Sequence, residues 1–269
     1  SHEHEIEALR FEEIIEQSSN VGTIMVADDL GEERLSAWLS AFGFGRQTGV
    51  GFPGESAGIL ADVDDWSGTS LPTISIGHGI ATTLLQLATA YGTIANDGVA
   101  VEPRLVRGTV GEDGREVPSA SGATRTVIGR DAATQLQQML ASVVNGENGT
   151  GKRAAVEGYE VAGKTGTARK PNENGRGYGA DYVATFVGFA PVDDPQLVVA
   201  VTVDEPFPIY GGIVAAPVFR EVMEFALPHQ RVAPSVNAPE PADPRRLEVP
   251  LEGTGGAPGT LPAGVGTRE

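Results

Sequence analysis

The chain has 269 residues, 40% of them hydrophobic but only 6% aromatic, with 36 Gly and 18 Pro, which suits one core of ordinary domain size interrupted by many turns. Its 36 acidic against 19 basic residues give a net charge of −17, which repels nucleic acid and anionic lipid. The absence of cysteine excludes disulfides, thiolate metal sites and a cysteine nucleophile.

The opening Ser1-His2-Glu3-His4-Glu5 reads as an interior stretch, so the sequence is expected to be part of a longer chain. No run of 18 apolar residues follows. Helical spacing then dominates, with one apolar face on Phe11, Ile14 and Ile15. A second is carried by Val21, Ile24 and Met25, and a third by Leu35, Trp38, Leu39 and Phe42 before Gly43 and Gly45. Residues 46–80, rich in Gly, Pro, Asp and Ser, predict irregular structure. A helix from about 82 to 95 is stopped by Asn96-Asp97-Gly98. A strand over 99–110 is expected to fold onto 115–118 across Glu112-Asp113-Gly114.

An amphipathic helix is predicted near 130–144, followed by a loop to Gly151. Three strands are predicted at about 156–168, 181–191 and 196–204, with turns short enough to make neighbours antiparallel. A last helix spans about 214–227. Helices, three strands and a closing helix imply an α+β fold, an antiparallel sheet packed between helices. From Pro228 onward apolar periodicity vanishes. The expected division is a folded unit over 1–228 and a Pro/Gly-rich tail over 229–269, with 231–269 disordered.

Chemistry concentrates in two short stretches. Lys164-Thr165-Gly166-Thr167 puts a cation, two hydroxyls and a bare backbone position on one strand. Such a strand can pair with an extended ligand, with Gly166 allowing close approach and Lys164 and the hydroxyls holding a carboxylate. Read blandly, it is an edge strand guarded by a lysine. Ser18-Ser19-Asn20 lies between two helical stretches. It is either a helix N-cap or a loop presenting a hydroxyl and a carboxamide to a reacting amide.

Together, in this order, the two stretches resemble the Ser-x-Asn and Lys-Thr-Gly elements of penicillin-binding proteins and serine β-lactamases. The resemblance extends to Ser18-Ser19-Asn20-Val21-Gly22, Ser75-Ile76-Gly77-His78-Gly79-Ile80, Thr185 to Pro191, and Gly211-Gly212 through Phe219. On these residues the chain is similar to the C-terminal part of the transpeptidase domain of class B, division-type penicillin-binding proteins, over about residues 1–228. The resemblance implies a β-lactamase/transpeptidase-like fold with the N-terminal part of the domain absent. It further implies a D,D-transpeptidase that cross-links peptidoglycan stem peptides through a serine acyl-enzyme and is acylated by β-lactams. No metal or other cofactor is implied. The implied partners are stem peptides, a glycosyltransferase and other division proteins. The implied place is the outer face of the cytoplasmic membrane, tethered by an anchor outside this sequence. In the implied roles Ser18 relays protons, Asn20 binds the donor amide, and Lys164 supplies positive potential. Thr165 and Thr167 contact the substrate carboxylate, and the Thr167 N–H helps form an oxyanion hole on a strand that Gly166 keeps open.

The family's nucleophile motif, Ser-x-x-Lys, is absent. The only lysines are Lys152, Lys164 and Lys170, preceded at three residues by Gly149, Val161 and Thr167. Thr167 and Lys170 share the spacing, but on a strand those positions face opposite ways. The expectation is that the nucleophile lies upstream of Ser1 and that this chain alone is inactive. Three other readings are a noncatalytic module, a β-lactamase or β-lactam sensor on the same fold, and a hydrolase using Gly54-Glu55-Ser56-Ala57-Gly58 with Asp204 and His229. His78 is expected to line the cleft wall rather than serve as a base.

Overall fold

A computed structural model describes residues 8–120, 122–172 and 177–235. Its centre is an antiparallel sheet of β5 (Ala162–Pro171), β6 (Tyr178–Ala190) and β7 (Leu197–Asp204), in that spatial order. Residues of alternating parity serve opposite faces, as the pleat requires. Phe186 and Ala190 of β6, with Leu197, Val199, Val201 and Val203 of β7, meet α7 (Gly211–His229) on one face. Phe189, Ala162 and Val198 meet α5 (Leu84–Ala95) and α6 (Arg130–Asn145) on the other. The sheet thus lies between helices, as the alternation predicted.

Helix α7 places Ala215, Phe219, Met223 and Leu227 on one stripe, all fully buried. Phe219 and Phe186 meet edge-on with ring centroids 4.7 Å apart. Each such ring is worth roughly 1.5–3 kcal/mol of burial. The helix begins three residues earlier than predicted and runs two further, past Pro217 and Pro228. Packing outweighs the missing amide hydrogen bonds there.

The amino-terminal helices α1 (Phe11–Glu16), α2 (Asn20–Leu30) and α3 (Glu32–Phe42) stand where the spacing placed them. Between α3 and α5 the chain is mostly irregular, but α4 (Ser70–Ser75) interrupts the predicted coil. The expected strand over 99–110 is two strands, because Pro103 and Arg104 break it. Here β1 (Val99–Val101) pairs with β4 (Thr124–Thr126), while β2 (Gly108–Val110) pairs with β3 (Glu116–Pro118). The strand predicted from 156 begins at Ala162, with residues 156–159 closing a tight turn.

Residues 231–235, assigned by composition to the tail, lie against the core. The Ser235 N–H donates to the Gly158 carbonyl (2.9 Å), the Ser235 hydroxyl accepts from the Glu160 N–H (3.1 Å), and the Tyr159 hydroxyl donates to the Val232 carbonyl (2.9 Å). Three hydrogen bonds of this kind offset the ordering entropy that composition alone counts against the segment. Residues 236–269 lie outside the described residues, and so do His2 and His4. No described helix is long and apolar enough to cross a membrane.

Candidate active site

The turn between α1 and α2 holds Ser18 in the left-handed region, at φ 57°. Its neighbour Ser19 caps α2, accepting from the Gly22 N–H at 3.2 Å. The cap and the chemical reading of Ser18-Ser19-Asn20 therefore fall on different serines. Ser19 satisfies the helix end, and Ser18 is swung free of it.

Lys164 lies on β5 opposite Val187. Its ammonium donates to the Ser18 hydroxyl at 2.8 Å, across 146 residues of sequence, and also reaches the Thr165 carbonyl at 3.2 Å. Burial lowers the Lys164 pKa to about 8, because desolvation penalises the ammonium. Near neutral pH this side chain keeps its charge yet carries an appreciable neutral fraction, which suits a group that holds an anion and exchanges a proton.

Thr165 and Thr167 project from the other side of the strand. The Thr165 hydroxyl shares a hydrogen bond of 3.0 Å with the Thr150 hydroxyl. The Thr167 hydroxyl accepts from the Gly211 N–H at 3.1 Å, which leaves its own proton for an incoming acceptor. Close packing explains two glycines. A Cβ on Gly166 would sit 2.2 Å from the Thr185 hydroxyl, and one on Gly211 would sit 2.4 Å from the Gly166 carbonyl. The start of α7 is thereby pressed onto the Lys-Thr-Gly-Thr strand.

Around these groups lies a cleft of ≈ 760 Å³. Ser18, Asn20, Thr165, Thr167, Thr150 and Tyr210 line it, together with the 147–153 loop. Strand β5 has β6 as its single neighbour, so its other edge is open toward ligand among the described residues. Five of the six predicted site residues therefore meet in one place, and Asn20 stands exposed on the same wall. Gly166 contributes by what it lacks.

Sequence reasoning missed Thr150, Tyr210 and the 147–153 loop, which carry no periodic signal and reach the cleft only through tertiary contact. Glu16 fixes this loop, its carboxylate accepting from the Asn148 N–H at 2.9 Å. His78 packs on Tyr178 with centroids 4.7 Å apart, and the Tyr178 hydroxyl accepts from the Gly79 N–H at 2.8 Å. That contact pins the glycine turn to β6, and His78 does not line the cleft as expected. The hydrolase reading finds no support. Ser56 accepts from the Gly58 N–H, Asp204 pairs with Lys170, and His229 stacks on Phe225. Among the described residues no cluster of His, Cys, Asp and Glu could hold a metal.

Comparison with known proteins agrees with this geometry. The family described as the penicillin binding protein transpeptidase domain matches residues 1–224. The chain is 42% identical over 241 residues to penicillin-binding protein PbpB of Mycolicibacterium smegmatis, covering 86% of this chain and 37% of that protein. It is 37% identical over 224 residues to the probable peptidoglycan D,D-transpeptidase PenA of Neisseria gonorrhoeae, covering 82% and 36%. Among solved structures, penicillin-binding protein 3 of Mycobacterium tuberculosis complexed with ampicillin superposes with a TM-score of 0.78 at 37% identity, covering 86% of this chain and 53% of that one. The apo transpeptidase domain of Burkholderia pseudomallei penicillin-binding protein 3 gives 0.72 at 36% identity, covering 84% and 66%. The chain thus spans little more than a third of the length of these curated relatives.

Proposed function

The chain belongs to the penicillin-binding protein transpeptidase family, and on that premise we propose that it forms the substrate-holding half of a peptidoglycan D,D-transpeptidase site. The observation that carries the reading is the 2.8 Å hydrogen bond from Lys164 to Ser18. It joins the two recognition elements beside an open strand edge and a cleft of peptide size. We further propose a division-type enzyme acting outside the membrane, with a glycosyltransferase and other division proteins as partners. This reading rests on the resemblance of the motifs to class B penicillin-binding proteins and is suggested by relatives such as Stage V sporulation protein D of Bacillus subtilis.

In this mechanism an acyl-D-Ala-D-Ala strand lies along β5. The terminal carboxylate meets the Thr165 and Thr167 hydroxyls, under the positive potential of Lys164. The carbonyl to be attacked rests beside the strand amides, where a developing oxyanion is stabilised. Asn20 takes the amide preceding the scissile bond. A serine hydroxyl attacks, its proton passing through a lysine and Ser18 to the departing D-Ala amine. An amine of a second peptide then attacks the ester and releases the serine. The attacking serine and its lysine come from residues outside positions 1–269, since no Ser-x-x-Lys occurs within them.

The test is intact mass of the chain after incubation with excess benzylpenicillin. No adduct is expected, because a serine without an activating base is a poor nucleophile at neutral pH. A stoichiometric adduct that Ser18→Ala abolishes would overturn the assignment. A longer protein carrying the Ser-x-x-Lys segment should be acylated in that segment. Its failure to react would favour a noncatalytic module.

A further inference from the structure

The cleft takes its walls from distant parts of the chain, the turn that carries Ser18 and Asn20 and the 147–153 loop. The loop, with glycine at 146, 149 and 151, gains little rigidity from its own backbone. Glu16 ties the two walls together. It is the last residue of α1, two positions before Ser18. Its carboxylate accepts from the Asn148 N–H (2.9 Å), and its backbone carbonyl accepts from the Thr150 N–H (3.4 Å) and hydroxyl (3.5 Å). Thr150 in turn shares its 3.0 Å hydrogen bond with Thr165. The fit is close, because a Cβ on Gly146 would sit 2.3 Å from the Glu16 carboxylate. Helix α1 is itself rooted, since Ile15 packs on the cluster of Ala95, Leu140 and Phe189.

Resting on the transpeptidase reading, we infer that Glu16 is a positioning residue for acyl transfer. Glu16 does not line the cleft and acts through the loop. By way of Asn148 and Thr150 it sets the separation between the Ser18 hydroxyl, which passes the proton, and the Thr165 hydroxyl, which meets the terminal carboxylate. A bound peptide spans that separation, so a loop that drifts misplaces one end while the other is held. The contact to Asn148 needs an acceptor oxygen at residue 16, and charge is secondary. The carboxamide of glutamine supplies one, and alanine does not.

The test uses the longer protein that carries the Ser-x-x-Lys segment, with acylation by benzylpenicillin followed as intact mass against time. Glu16→Ala should lower the second-order acylation rate about tenfold, and Glu16→Gln less than about threefold. In the 269-residue chain, hydrogen exchange at the Asn148 amide should accelerate about tenfold in Glu16→Ala and hold steady in Glu16→Gln. Exchange at Phe189 and Val199 should hold steady in both. A residue that merely stabilised the fold would move all three amides together. Gly146→Ala attacks the same contact from the loop side. It should slow acylation in step with faster Asn148 exchange, even if Glu16→Ala does not fold. Equal acylation of the unaltered protein and Glu16→Ala, equal damage by Ala and Gln, or a Gly146→Ala variant acylated at the unaltered rate overturns the inference and leaves the transpeptidase reading standing. If the unaltered longer protein is not acylated at all, the transpeptidase reading fails and takes this one with it.

Discussion

Helix α7 and the three amino-terminal helices all carry apolar residues at helical spacing but end in opposite states. Helix α7 buries Phe219, Met223 and Leu227 completely against β6 and β7. Helix α2, whose apolar residues are much less gathered on one face, buries Ala27 alone and leaves Val21 70% and Met25 64% exposed. Spacing decides that a helix forms and which face is apolar. Whether that face finds a partner depends on what else is folded nearby. Stability should therefore reside in the sheet half, and the amino-terminal helices should contribute little beyond positioning Ser18.

The largest test of that contrast is Phe219→Ala, which removes the ring facing Phe186 and should cost about 3–5 kcal/mol in urea unfolding. A loss under about 1 kcal/mol would mean that the sheet half is not the stable unit. A second test uses pH. The folded-state pKa of Lys164, about 8, lies below its ordinary 10.5. Its buried ammonium therefore costs stability, fully below pH 8, and the cost fades as pH rises toward 10.5. Relative to Lys164→Met, the unaltered chain should gain at most about 2–3 kcal/mol between pH 7.5 and 10.5. A difference flat with pH would mean that Lys164 is solvated and the cleft wetter than its packing indicates. The smallest effect is expected at Val21→Ser, within about 0.5 kcal/mol. A loss above 1 kcal/mol would erase the contrast between the two regions.

The same contrast governs what could be read from the sequence. Strands β6 and β7 were legible because covering both faces leaves near-continuous apolar runs, as in Leu197 to Val201, with Phe186 and Phe189 serving opposite faces. Strand β4 was not, since Thr124-Arg125-Thr126 is exposed and its partner Val99–Val101 lies 25 residues upstream. Helix α4 holds six residues around Pro72, too few for a period to show. Lys164 and Ser18 were nameable from motifs, but nothing local announces that they touch. Thr150 and Tyr210 were invisible for that reason alone, because lining a cleft is a property of the assembled surface. The tail boundary failed at 231–235 because composition counts apolar residues and takes no account of three well-placed hydrogen bonds.

Ser18 carries a further consequence in its backbone. A residue with a Cβ held at φ 57° stores torsional energy of roughly 1–2 kcal/mol, which glycine does not. Replacing Ser18 by Ala and by Gly deletes the same hydroxyl, but only the Gly version lets the bend relax. The pair thus separates two quantities that a single deletion merges, the tension wound into the turn and the hydrogen bond that Lys164 makes to it. A turn that gains stability as glycine yet loses its grip on the lysine would be a sprung hinge whose catch is the serine oxygen.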